Sequence, residues 1–274
     1  CGGFVLRVSR VRILGVGDLV VELRGWSREV SEPPYEYLPT VSEVFSPCPT
    51  HRDSFLRRVN GVKVNQSAAL NVGRVLHEAF LAPFRYVQRG EVGSLVDGLA
   101  ELKQSLVNNA GDLAGIVKVV YDRASAIALS LVAESQAAPV VVEPPLDGAL
   151  IGFSDVIKPD LVVGLIPVEV VVTDNWDYLG RKELALAAYA LALEAMWGNP
   201  VNYGVLVNIN PRTGGLTSRV LILTDDLRRA VVRERDTVAR IVARGDDPGV
   251  APKCPETCPF YNHCRGGLGD AGSK

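Results

Sequence analysis

Three cysteines fall within eleven residues near the end of this 274-residue chain, in Cys254-Pro-Glu-Thr-Cys258-Pro-Phe-Tyr-Asn-His-Cys264. A fourth, Cys48, stands far upstream in Ser46-Pro-Cys-Pro-Thr50. Thiolates that close together can share one soft metal centre, which wants four ligands, and Cys48 is the best candidate for the fourth. Any such centre ties the tail to the front of the chain. It closes a very long loop, so it both restricts the fold and stabilises it. Spacing alone leaves three chemistries open. One is an iron–sulfur cluster, another is a structural zinc with His51 or His263 as substitute ligands, and the last is disulfides or free thiols. Three close cysteines and one distant one do not pair neatly into disulfides. Cys1 receives no role.

The rest of the composition is that of an ordinary folded protein, with 47% apolar and 22% charged residues. Disorder, collagen and a disulfide miniprotein are excluded on these values. The 29 basic and 31 acidic residues give a net charge of −2, so no basic coat advertises nucleic acid. The apolar run 124–133 is too short to cross a bilayer, and 161–172 contains Glu169. Arg7, Arg10 and Arg12 interrupt the amino end, which does not read as a signal peptide. The expectation is a cytoplasmic protein with no membrane partner.

Periodicity predicts helices over 53–59, 66–80, 95–107 and 112–133, with Ala69, Val72, Leu76, Ala79 and Phe80 recurring at helical spacing. Asp112 is the expected cap of the last of these. Val- and Ile-rich segments at 139–143, 149–157 and 161–172 predict strands. A helix over 180–197 stops at Gly198-Asn-Pro200. Strands at 203–208 and 219–223 precede an amphipathic helix over 225–244, with Leu227, Val231, Val238 and Ile241 on its apolar stripe. The arginines of that last helix are balanced by acids and predict a solvated, ion-paired face. The order indicates an α/β protein around one central sheet. A single domain is expected: a mainly helical front over 1–135, a sheet core over 136–224, and a helix with the cysteine tail over 225–274.

The hairpin carries chemistry. Gly152-Phe-Ser-Asp155 and Pro167-Val-Glu169-Val-Val171 place two acids on neighbouring strands. Such a pair, with a carbonyl such as that of Val170, suits a hard divalent cation. A carboxylate inside an apolar run needs a partner. The plainer alternative turns both acids to solvent. His77, on the helix over 66–80, gains interest only beside that hairpin, because most single histidines are packing or surface residues. Lys182, Ala185 and Tyr189 share one helix face and could meet a phosphodiester, or could simply be a surface Lys and a core Tyr.

Taken together, His77, Gly-x-x-Asp155, Glu169, a helix with a late Tyr, and the one-plus-three cysteines resemble the CRISPR-associated RecB-like iron–sulfur exonucleases of the spacer-adaptation module, in their larger archaeal branch. Glu22-Leu-Arg-Gly-Trp26, the segment 48–58 and Leu184–Glu194 add to the resemblance. It implies a restriction-endonuclease-like fold of the PD-(D/E)xK type, a mixed sheet flanked by helices with a cluster joining both ends of the chain. It implies that His77, Asp155, Glu169 and the carbonyl of Val170 hold Mg²⁺ or Mn²⁺. It implies that Cys48, Cys254, Cys258 and Cys264 hold a [4Fe–4S] cluster in preference to a [2Fe–2S] one. The implied substrate is DNA with single-stranded ends. The implied partners are the CRISPR integrase and other adaptation proteins, and a homo-oligomer is compatible with it. For phosphate contact the best arginines are Arg57, Arg58 and Arg74, with Arg52 and Lys63 nearby.

The chain departs from the family pattern at specific places. Val171 stands where the acidic strand normally carries Lys, and Ala185 where relatives often carry Gln. The first two tail cysteines have three residues between them, where two is commoner. A fixed cation near the phosphate stabilises developing charge, and valine cannot. Lys182 is the expected replacement, and Lys158 a poorer one. The expectation is therefore a metal-dependent DNA exonuclease with Glu169, Asp155, Lys182 and Tyr189 at its centre. The alternative is a non-catalytic DNA-end-binding or scaffolding subunit of the adaptation complex.

Overall fold

The structure is a computed structural model that describes residues 21–64, 68–88, 95–134, 139–154, 156–174, 180–254 and 258–265. Short helices α1 (Arg28–Ser31), α2 (Val41–Val44) and α3 (Arg52–Arg58) open it, followed by the long helices α4 (Ala68–Gln88), α5 (Leu95–Asn109) and α6 (Ala114–Glu134). Then come β1 (Val140–Val142), β2 (Leu146–Asp147), β3 (Val156–Ile157), β4 (Leu161–Val163) and β5 (Ile166–Val172). Helix α7 (Gly180–Trp197) crosses to β6 (Tyr203–Ile209) and β7 (Leu216–Ile222). Helix α8 (Asp225–Arg244) and the short α9 (Tyr261–Arg265) complete the order.

Five strands form one sheet in the order β1-β4-β5-β6-β7, and β2 pairs with β3 apart from it. Among the strands of the described residues, only β5 and β6 pair in parallel. A parallel pair needs a crossover, and α7 supplies it. The mixed sheet with helices on both faces is the architecture expected from the sequence.

Alternation along β5 decides what each layer receives. Val168 and Val170 enter the core made with Leu76, Phe80, Val117 and Ala124 of α4 and α6. Val171 enters the opposite core, built around α7. Ala185 through Glu194 of α7 are all buried. That helix is the middle of the molecule, lying between the sheet and α8. Its alanines allow close approach: a Cβ on Gly25 would stand 1.9 Å from the Leu191 carbonyl oxygen. No helix of the described residues is long and apolar enough to cross a membrane.

Two expectations need correction. Residues 149–157 are not one strand. Ala149–Ile151 form a 3₁₀ turn, Gly152 takes φ 73°, and only Val156–Ile157 is extended. The reason is tertiary, because Arg235 donates to the Ile151 carbonyl at 2.8 Å and packs against Gly152. The arginines of α8 also do not all face solvent. Arg228 and Arg235 are 0% and 1% exposed. A smaller difference is that Asp112 lies inside a 3₁₀ turn, Gly111–Leu113, and α6 begins after it.

Candidate functional site

Residue by residue, the site grows from the β4–β5 hairpin and the two helices against it. Asp160 ends the turn before β4, and the ladder Leu161↔Val168 brings it beside Glu169. Its carboxylate is held at both ends. Oδ1 lies 2.9 Å from His77 Nε2 on α4, and Oδ2 accepts the Val170 N–H at 2.6 Å. Across the hairpin, Glu169 is 4% exposed, and its Oε1 accepts from Lys182 Nζ at 2.7 Å. Glu169 Oε2 is buried with no hydrogen-bond partner among the described residues. Tyr189, two turns along α7 from Lys182, is 4% exposed and within electrostatic reach of the same carboxylate.

The electrostatics follow from this crowding. Burial first, and the Asp160 charge second, push Glu169 up to about 7, against the pull of Lys182 and His77. Burial lowers His77, but the Asp160 bond and the neighbouring carboxylates outweigh it and raise it. Burial, reinforced by Glu169 and Asp160, raises Tyr189 well above a normal phenol. A buried carboxylate with one unmatched oxygen stands beside a second carboxylate that an imidazole holds.

The structure brings His77, Glu169, Lys182 and Tyr189 near one another through Asp160 and the Glu169 carboxylate. Asp155 lies outside the described residues. Asp160 was missed. Its signal was available: Pro159-Asp160 directly precedes a Val-rich strand, in hairpin position opposite Glu169. Val171 is 5% exposed on the α7 side of the sheet, so the position that normally carries Lys is packed in apolar core. Val170 pairs with Val207 in the parallel ladder.

The expected cysteine ligands lie near one another, but among the described residues no three His, Cys, Asp or Glu side chains are grouped closely enough to hold a metal ion. Cys48, Cys254, Cys258 and Cys264 are partly exposed free thiols. Burial, then Cys258, Cys264 and Cys48, drive the Cys254 thiol up to about 11, because thiolates this close repel. Cys258 and Cys264 also pack on Phe55, Leu56, Ile241 and Phe260. Cys1 lies outside the described residues.

Arg181 runs between the acid centre and the cysteines. Its guanidinium donates to the Cys48 carbonyl at 3.4 Å and to Glu234 Oε2 at 3.1 Å, while the next residue, Lys182, reaches Glu169. Glu234 also meets His51 Nε2 at 2.6 Å. His51 holds φ 58°, an uncommon left-handed conformation for a residue with a side chain.

Of the arginines expected at DNA, Arg57 lies over the Phe260 ring at 5.5 Å, and Arg58 is ion-paired with Glu43. Arg74 is exposed on α4.

The family model for the CRISPR-associated exonuclease Csa1 matches residues 5–268. A relative from Thermoproteus tenax, a CRISPR-associated exonuclease Csa1, is 32% identical over 267 residues, spanning 92% of this chain and 93% of its own. Another of the same name, from Saccharolobus solfataricus, is 29% identical over 273 residues, spanning 89% and 91%. The chain belongs to the CRISPR-associated exonuclease Csa1 family.

Proposed function

We propose that this chain is a DNA exonuclease dependent on Mg²⁺ or Mn²⁺, acting on single-stranded ends during CRISPR spacer acquisition. The observation that carries the reading is the contact of Lys182 with buried Glu169. A cation from α7 stands at the carboxylate where Val171 offers none. The names of both relatives support a nuclease role within CRISPR. The mixed sheet with its α7 crossover supports a restriction-endonuclease-like core.

Asp160, Glu169, Asp155, His77 and the carbonyl of Val170 would hold the cation. Their hard oxygens and single imidazole suit Mg²⁺ or Mn²⁺, and Glu169 Oε2 is the buried atom left to be satisfied. Such an ion lowers the pKa of water and polarises the phosphoryl group. The protein's own part is placement. The Val170 N–H fixes one oxygen of Asp160, and Lys182 both holds Glu169 and supplies positive charge for the phosphate. Tyr189 closes the floor beneath them. The four cysteines would carry a cluster, [4Fe–4S] in preference to [2Fe–2S], that joins both chain ends. The CRISPR integrase and other adaptation proteins are the proposed partners, and the cytoplasm the proposed site of action.

The test is Mn²⁺-dependent cleavage of a single-stranded oligonucleotide. Glu169→Gln and Lys182→Met should each reduce turnover by about 100-fold or more with the fold intact. Undiminished cleavage by both variants sinks the reading. A second reading, a non-catalytic DNA-end-binding or scaffolding subunit, is favoured by the apolar burial of Val171. It predicts binding without turnover, and cleavage gained on Val171→Lys.

A further inference from the structure

Beside the acid centre lies a cavity of about 460 Å³, in the size range of small-ligand pockets. Lys182 and Tyr189 form the wall it shares with that centre. The opposite wall comes from α2 and the loop after it, with Ser42, Phe45 and Ser46, and the rim carries Lys158 of the β3–β4 turn. No carboxylate is among the described lining residues. Two lysines, a set of hydroxyls and an apolar patch therefore face one space directly next to the proposed scissile position.

Ser46 is the telling residue. It is 5% exposed, lines the cavity, and its Oγ has no hydrogen-bond partner among the described residues. A buried hydroxyl left unmatched costs stability, and native proteins keep such groups where something else satisfies them. Ser42 is exposed on the same wall, and its hydroxyl lies 3.1 Å from that of Thr40. Lys158 is exposed as well, so its ammonium can swing over the opening.

We propose that this cavity is a nucleotide-binding subsite that holds the strand next to the scissile phosphate, with Ser46, Ser42 and Lys158 on the adjacent phosphate and sugar and the Phe45 side receiving the base. The proposal rests on the nuclease reading and deepens it by locating the neighbouring nucleotide. A space of this size takes about one nucleotide, so the strand must enter unpaired. The site thus selects a single-stranded end by exclusion as well as by charge. Hydroxyl and ammonium donors contact backbone oxygens, which carry no sequence information, so the subsite tolerates any sequence.

The experiment separates binding from cleavage. A fluorescein-labelled single-stranded oligonucleotide is titrated into the protein with EDTA present, across a salt series, and the same oligonucleotide is then cleaved with Mn²⁺. Ser46→Ala should leave the melting temperature unchanged or raised, because an unmatched buried hydroxyl is removed, yet weaken binding about threefold to tenfold. Lys158→Gln should weaken binding similarly and reduce the salt slope by about one. Both should raise KM more than they lower kcat. Equal affinity and an equal salt slope in both folded variants overturn the subsite. So does a blunt duplex bound as tightly as the single strand. Either result leaves the nuclease reading to be judged on Glu169→Gln, whose loss of turnover does not depend on Ser46 or Lys158.

Discussion

Glu194 shows what a single residue can organise. It is 0% exposed, and both of its oxygens are occupied. Oε1 accepts from Arg24, Arg228 and the Val201 N–H, and Oε2 from Arg228 and the Gly25 N–H. Burial lowers Arg228, and Glu194 opposes that shift. Two segments of the family resemblance, Glu22–Trp26 and Leu184–Glu194, meet at this carboxylate. Removing one partner of a buried pair strands the other charge. Arg228→Met should therefore cost about 3–5 kcal/mol in denaturant unfolding. A loss below about 1 kcal/mol would show that Arg24 alone satisfies Glu194.

At the scale of elements, α2 is only four residues long and owes its place to caps and a charge pair. Thr40 and Glu43 form a reciprocal capping box, and Glu43, 2% exposed, is ion-paired with Arg58. Burial raises the Glu43 carboxyl, but Arg58 and the Thr40 donors outweigh it and hold it below its ordinary value. The stability it contributes is therefore complete above the unfolded carboxylate pKa, near 4.3, and drains away as pH falls through the lower folded value. Glu43→Gln should lower unfolding free energy by about 1–3 kcal/mol at pH 7, with the gap to wild type closing below about pH 4. A gap that stays constant down to pH 2 would show that Glu43 is not the titrating group. Close approach governs α7 in the same way. Gly25→Ala must push the Glu22–Trp26 segment off the Leu191 backbone, and should cost about 3 kcal/mol in thermal unfolding.

For the whole molecule, the metal centre proposed at the four cysteines would be the long-range staple. Protein contacts already draw the ends together: Arg52 pairs with Asp247 at 2.7 Å, Thr50 donates to the Gly249 carbonyl at 3.0 Å, and Phe260 packs on Phe55 and Leu56. A metal centre bound there would add to these by linkage. Chelation of the purified protein should lower its melting temperature by several degrees, and Cys48→Ser should abolish both that response and most of the bound metal. Iron and zinc analysis with a visible spectrum identifies the centre. Arg181 extends the prediction to the acid centre. Arg181→Leu should loosen the turn at Cys48 and the first turn of α7 together, seen as faster amide exchange in both segments.

Much of this was legible from spacing. Leu76, Ala79 and Phe80 announced a buried helix face, because periodicity reports local burial directly. The one-plus-three cysteines were readable because reactive side chains at such intervals are rare by chance, whereas the company of His77, Glu169 and Lys182 came only with the family resemblance. Other features depended on partners distant in the chain. No local pattern says that Arg228 and Arg235 are buried, since their partners are Glu194 and the carbonyls of Leu223, Val30 and Ile151. Nothing local says that Asp160 is pinned by His77, or that Ser46 lines a cavity with Lys182. Elements follow from short-range periodicity and turn chemistry. The environment of each polar group follows from which distant segments desolvate it and offer it hydrogen bonds, and only folding supplies that.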